Sequence, residues 1–240
     1  GPWFSRRGIS VYAYDQRGFG RGDAERLGKW AGGDVMARDL AGFVELVRRR
    51  NPQVPVYVVG TSMGGAVTMK ASVNYGLKAD GLVLVAPAIW GWRSMNPILK
   101  SALWVTAHTV PDKTATGSQL EIWPSDNIAW LKAYSKDRYN IKQGRFDTLY
   151  GLVTLMDEAA AAAPKITVPV LYLYGLKDQV EPETHSRKVK ASLTAPNKQM
   201  IYDKGYHMLL HDLQRESVYR DILRWVGRDK VATPVSTSRP

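Results

Sequence analysis

Residues 54–75 constrain this chain more than any other stretch, because they demand a strand, a tight turn and a helix in immediate succession. Val56, Tyr57, Val58 and Val59 form a short apolar, β-branched run that reads as a buried strand. Gly60, Thr61, Ser62, Met63 and Gly64 then fill a G-x-S-x-G pattern, and residues 66–75 have helical composition up to a C-cap at Gly76. In that context the pattern is a nucleophile elbow, with Ser62 held in an unusual backbone conformation. Gly60 and Gly64 are expected to lack side chains because strand and helix crowd each other there. The hydroxyl then sits at a helix N-terminus, where the dipole favours the negative charge that develops in acyl transfer.

A serine nucleophile needs a base, and the base needs an orienting acid. On an elbow of this kind the chain order should be Ser, then Asp or Glu, then His. The apolar run 170–174 is followed by Gly175, Leu176, Lys177 and Asp178, which puts an acid just past a strand end. A shorter strand candidate at 200–202 leads through Asp203, Lys204, Gly205 and Tyr206 to His207. Three groups leaving three strand ends on one edge of a parallel sheet can converge where open α/β sheets bind ligands. Ser62, His207 and Asp178 are therefore the candidate nucleophile, base and acid. His211, four residues on, is the competing base, and its other reading is a cap or solvated residue of the last helix. His108 and His185 read as surface or cap residues of helices. Glu181 and Glu183 flank Pro182 at a helix start, where their charges suit the dipole.

The remaining strands and helices alternate. Residues 9–14 read as a strand and residues 15–22 as a glycine-rich turn. That turn is no phosphate loop, since G-x-x-x-x-G-K-[ST] is absent and no helix opens at it. Apolar residues from Val35 to Val47 keep helical spacing, Asn51-Pro52 ends that helix, and residues 82–85 form another strand. The β-α-β-α-β order implies right-handed crossovers and a parallel sheet, hence an α/β fold. The alternation breaks between Pro87 and Pro164, a region holding five of the eight tryptophans. Helices are expected at 97–110, from a cap at Ser125 or Asp126 through Leu131, and at 146–163. An insertion this long reads as a helical cap, with most of its apolar side chains in the core. One or two of Trp90, Trp92, Leu103 and Trp104 are expected to face an acyl chain. The expected division is residues 1–87 and 165–227 for the core, 88–164 for the cap and 228–240 for a disordered tail.

Composition bounds the partners. With no cysteine, disulfides, thiolate metal sites and a cysteine nucleophile are excluded. No run is apolar enough to span a bilayer. Lys+Arg outnumber Asp+Glu by 33 to 22, a formal charge of +11, but the basic residues are scattered. That favours peripheral contact with an anionic membrane over nucleic acid.

The stretches VYAYDQRGFGRG, VVGTSMGGAV, LYLYGLKDQV and GYHMLLHDL, in that order, resemble the monoacylglycerol lipase and lysophospholipase branch of the α/β-hydrolases. The resemblance covers nearly the whole chain up to the tail. It implies Ser62 as nucleophile, Asp178 as acid and His207 as base, with the Met63 N–H in the oxyanion hole and a small lipid ester as substrate. No metal or organic cofactor is implied. Gly22 stands where that family usually has a serine. The family also has further strands and a His-Gly loop upstream of the helix ending here at Gly8. That loop supplies the second oxyanion donor, and its strand lies between residues 9–14 and 56–59. The chain is accordingly expected to be a fragment, poorly stable and weakly active, since one lost donor costs roughly 10²–10³ in rate. Two alternatives stay open, a serine acyltransferase and a non-catalytic lipid- or nucleic-acid-binding module.

Overall fold

The computed structural model describes residues 1–22, 24–116 and 121–227; the expected tail at 228–240 lies outside them. Four strands build one parallel sheet, β1 (Tyr57–Thr61), β2 (Gly81–Val85), β5 (Val170–Gly175) and β6 (Asn197–Tyr202), in that spatial order. Every neighbouring pair is parallel, with Val58 opposite Leu82, Leu84 opposite Tyr172 and Leu173 opposite Met200. All five residues of β2 and all six of β5 are buried. This is why those runs are apolar without alternation: each is covered on both faces.

Helix α1 (Pro2–Ser5) opens the chain, and Gly8 follows at φ 79°. Residues 9–14 were expected in the sheet, and they join no ladder. They lie instead along helix α2 (Gly33–Arg50), where Tyr14 meets Phe43 and Tyr12 accepts a hydrogen bond from Asn51. The physical reason is pairing: β1 ends the sheet, and no described strand stands beside 9–14 to supply ladder partners. The glycine-rich turn is closed by Asp15 and tied to α2 by Arg17. Asp15 accepts the Arg21 N–H, and Arg17 pairs in a bidentate fashion with Asp39.

The insertion contains α4 (Pro97–Thr109), α5 (Ile128–Lys136) and α6 (Phe146–Ala162), plus a two-residue antiparallel pair, β3 (Thr114–Ala115) with β4 (Gly144–Arg145). Helix α5 starts on Asn127, whose side chain accepts the Trp130 N–H, and not on Ser125 or Asp126. The expectation that the apolar cap residues are mostly core fails for α4 and for the tryptophans. Helix α4 buries none of its residues, and Ile98, Leu99, Trp104 and Val105 are exposed. None of Trp90, Trp92, Trp104, Trp123 and Trp130 is buried. Helix α6 behaves oppositely. Leu155 and Ala159 are fully buried in the cluster that holds β2 and β5, and α6 packs on α3 (Met63–Asn74). Lys70 of α3 reinforces the contact, its ammonium 2.7 Å from Glu158 and 3.3 Å from Asp34.

Helix α7 (Glu183–Ser192) and helix α8 (Arg215–Gly227) complete the core. Residues 208–214 form turns ahead of α8. Leu155→Ala should lower stability by about 2–5 kcal/mol, the range for truncating a buried leucine. Urea unfolding checks this, and an unchanged midpoint would mean α6 is not part of the core.

Candidate active site

The site begins at the end of β1. Ser62 has φ 51° and ψ −122°, a left-handed conformation that a serine adopts only when its surroundings impose it. Its N–H donates to the Val85 carbonyl at the end of β2, and its carbonyl accepts from Gly65, Ala66 and Ala88. A side chain at Gly60 would run into Gly64 and Thr68. The second crowded glycine is Gly65, which Pro87 overlies; a Cβ at Gly64 would meet nothing. The elbow is therefore pinned by the strand beside it as well as by its own turn.

The acid and base come from the ends of β5 and β6. These two loops interlock: Leu176 donates to the Tyr202 carbonyl and Lys177 to the Gly205 carbonyl. Gly175 and Gly205 lie back to back: a side chain on Gly175 would strike Gly205 and Tyr206, and one on Gly205 would strike Leu209 and Tyr202 and crowd Gly175. Across this seam His207 Nδ1 lies 2.8 Å from Asp178 Oδ2, and His207 Nε2 lies 2.9 Å from Ser62 Oγ. Asp178 Oδ1 accepts the N–H groups of Val180 and Glu181. The Asp178 side chain is wholly buried and that of His207 nearly so, while Ser62 is half-buried and reachable. A carboxylate with three donors is a fixed acceptor, so the imidazole can donate through Nδ1 and accept through Nε2.

The other candidates are placed elsewhere. His211 stacks on Trp130, ring centroids 4.3 Å apart, and burial lowers its pKa. His185 Nε2 lies 2.5 Å from Ser94 Oγ, joining α7 to the insertion, and His108 stacks on Trp104. Trp92 hydrogen-bonds Thr154 and packs on Tyr150 of α6, Trp90 and Leu103 are half-buried, and Trp104 is half exposed. An open groove of about 430 Å³ lies away from the three residues, between Tyr14, Asp15 and Arg17 and the Asp39, Phe43 and Leu46 face of α2.

Sequence reasoning misjudged Glu181. It is 2% exposed, not a surface charge on the α7 dipole. One carboxyl oxygen accepts the Ile89 N–H at 3.2 Å, and the other has no partner among the described residues. Burial, with Asp178 adding to it, raises its pKa to about 8. The Pro182 that follows was read as a helix start, which hid the fact that Glu181 points inward. An acid whose folded pKa lies above its ordinary value of 4.5 stabilises the fold below that value and loses the contribution as pH rises through its folded pKa. The melting temperature should therefore fall more steeply towards pH 8 in the native chain than in Glu181→Gln. Parallel curves from acid to alkaline pH would show that Glu181 is not held protonated.

The comparisons with known proteins agree with this architecture. Residues 1–214 match the family model described as "Serine aminopeptidase, S33". The monoacylglycerol lipase of Mycolicibacterium smegmatis is 28% identical over 239 residues, covering 93% of this chain and 80% of that protein. The monoglyceride lipase of Rattus norvegicus is 28% identical over 231 residues, covering 92% and 74%. Among solved structures, the monoacylglycerol lipase of Paleococcus ferrophilus superposes with a TM-score of 0.78 at 21% identity, covering 94% of this chain and 86% of that one. With that match spanning most of its length, the chain belongs to the serine aminopeptidase, S33 family and has the α/β-hydrolase fold.

Proposed function

We propose that the protein is a carboxylic ester hydrolase acting on small lipid esters of the monoacylglycerol type, through Ser62, His207 and Asp178. The observation that carries this reading is the continuous hydrogen-bonded relay from Ser62 Oγ through the imidazole to Asp178. The names of the relatives, monoacylglycerol and monoglyceride lipases, supply the substrate class.

In the proposed reaction His207 Nε2 takes the Ser62 proton as the oxygen attacks the ester carbonyl. Asp178 holds the imidazole in the tautomer that leaves Nε2 free to accept, and stabilises the imidazolium that forms. The Met63 N–H is the first of α3, so no helical carbonyl precedes it to compete for it. It is the oxyanion donor proposed among the described residues. His207 then protonates the leaving alcohol, and water repeats the sequence on the acyl-enzyme. The exposed Ile98, Leu99, Trp104 and Val105 of α4 suit contact with an anionic membrane that presents the substrate, and the net charge of +11 favours such a surface. One or two of Trp90, Trp92, Leu103 and Trp104 remain the proposed acyl-chain contacts.

The test is hydrolysis of monoacylglycerols, lysophospholipids, nitrophenyl esters and an aminoacyl anilide by the native chain and by Ser62→Ala. Ester cleavage should fall roughly 10⁴-fold or more in the variant while its circular dichroism is unchanged. Equal ester cleavage by the two proteins would remove Ser62 from the role. Cleavage of the anilide in preference to every ester would replace the esterase reading with a peptidase one.

A further inference from the structure

A second polar group is closed inside the protein beside the proposed base. Ser125 and Asp212 are both fully buried, and Ser125 Oγ donates to Asp212 Oδ1 at 2.6 Å. The other oxygen, Asp212 Oδ2, accepts the backbone N–H of Tyr206 at 2.8 Å, the residue immediately before His207. Among the described residues no cation pairs with this carboxylate, although Arg215 reaches the Asp212 backbone carbonyl. A carboxylate enclosed without a counter-charge is costly, and the same place could hold an apolar side chain if filling space were its only task.

The bonds around it form a seam between the insertion and the turn that carries the base. Met208 donates to the Pro124 carbonyl, and Asn127 Nδ2 donates to the His211 carbonyl. Leu213 donates to Asp126 Oδ1, and the Asn127 N–H donates to Ser125 Oγ. Residues 124–127 and 206–213 therefore hold each other's backbone polar groups, with the Ser125–Asp212 pair at the centre. Residues 203–214 contain neither strand nor helix, so the turn is held by this seam, by Lys177 donating to the Gly205 carbonyl and by the Tyr219 hydroxyl donating to the Leu210 carbonyl. An imidazole must stay within hydrogen-bond reach of two partners at once, so its backbone has to be held from outside the turn.

We propose that Asp212 is a positioning residue, which by accepting from Tyr206 and Ser125 fixes the His207 backbone against residues 124–127 of the insertion and keeps the imidazole between Ser62 and Asp178. The proposal rests on the catalytic reading of those three residues. Asp212 itself touches neither Ser62 nor substrate; it acts through the hydrogen bond to Tyr206. What matters is the acceptor, not the negative charge. An asparagine can still accept from Tyr206 through its oxygen while its amide group donates to Ser125.

The experiment measures kcat and KM for a short nitrophenyl ester and a long monoacylglycerol, and the rate at which a fluorophosphonate labels Ser62. Asp212→Ala should lower kcat for both esters and the labelling rate by a common factor of roughly ten to a hundred, with KM unchanged. Asp212→Asn should recover most of that loss. If Asp212→Ala does not fold, Ser125→Ala carries the test, with a kcat loss of roughly threefold to tenfold and again no change in KM. A folded Asp212→Ala with native kcat and labelling would overturn the proposal, as would a Ser125→Ala with native kcat. Equal losses in the alanine and asparagine variants would also overturn it, since the charge would then be the active feature. Failure of the catalytic reading is recognised separately, by native protein whose label is carried by a residue other than Ser62.

Discussion

The site depends on a single strained residue. Ser62 sits at φ 51° because β1 ends there and α3 begins one residue later, leaving no length of chain in which to turn gradually. Such a conformation costs on the order of 1–3 kcal/mol and persists only when its surroundings over-determine it. Here they do: the Ser62 peptide groups bond to Val85, Ala88, Gly65 and Ala66, and the crowding at Gly60 and Gly65 admits no Cβ. Because β2 is buried throughout, that anchorage comes from a strand enclosed on both faces. The outcome is a hydroxyl lifted clear of the strand edge, at the positive end of a helix.

Asp178 and His207 are positioned by a different device. Their loops interlock through Gly175 and Gly205 and exchange backbone hydrogen bonds, so the acid and base move as one unit. The insertion grips this unit at several points. Glu181 takes the Ile89 N–H, Gln179 takes the Trp123 N–H, His185 meets Ser94, and the Ser125–Asp212 pair joins residues 124–127 to the His207 turn. The insertion is thus mechanically continuous with the groups that would do the chemistry. Helix α6 belongs to the core in energetic terms, whereas α4 lies on the outside with its apolar side chains open.

The parts of this arrangement set by local pattern were legible in the sequence. The elbow, the four strand runs and the parallel order follow from side-chain period and turn chemistry, although burial throughout holds for β2 and β5 and not for β1, where Val59 is exposed. What was hidden depends on tertiary surroundings. Residues 9–14 have strand composition yet join no ladder among the described residues, because composition does not supply a neighbouring strand. Gly64 fits the motif, but the crowding falls on Gly65, where Pro87 arrives from β2. Glu181 looked like a helix-start charge, and only packing reveals that it is enclosed. Asp212 carried a signal that could have been used: an acid five residues past the His, set among the apolar Met208, Leu209, Leu210 and Leu213. The apolar run of α4 says helix but not which elements it faces, so burial was assigned to side chains that are exposed.

In the proposed site His207 and Asp178 make Ser62 Oγ nucleophilic. Peptide mass mapping after treatment with a fluorophosphonate, comparing the native chain with His207→Gln, reads this out. One phosphonyl group is expected on the native chain, on the peptide bearing Ser62, and little or none on the variant. Labelling at another residue, or equal labelling of Ser62 in both proteins, would overturn that assignment.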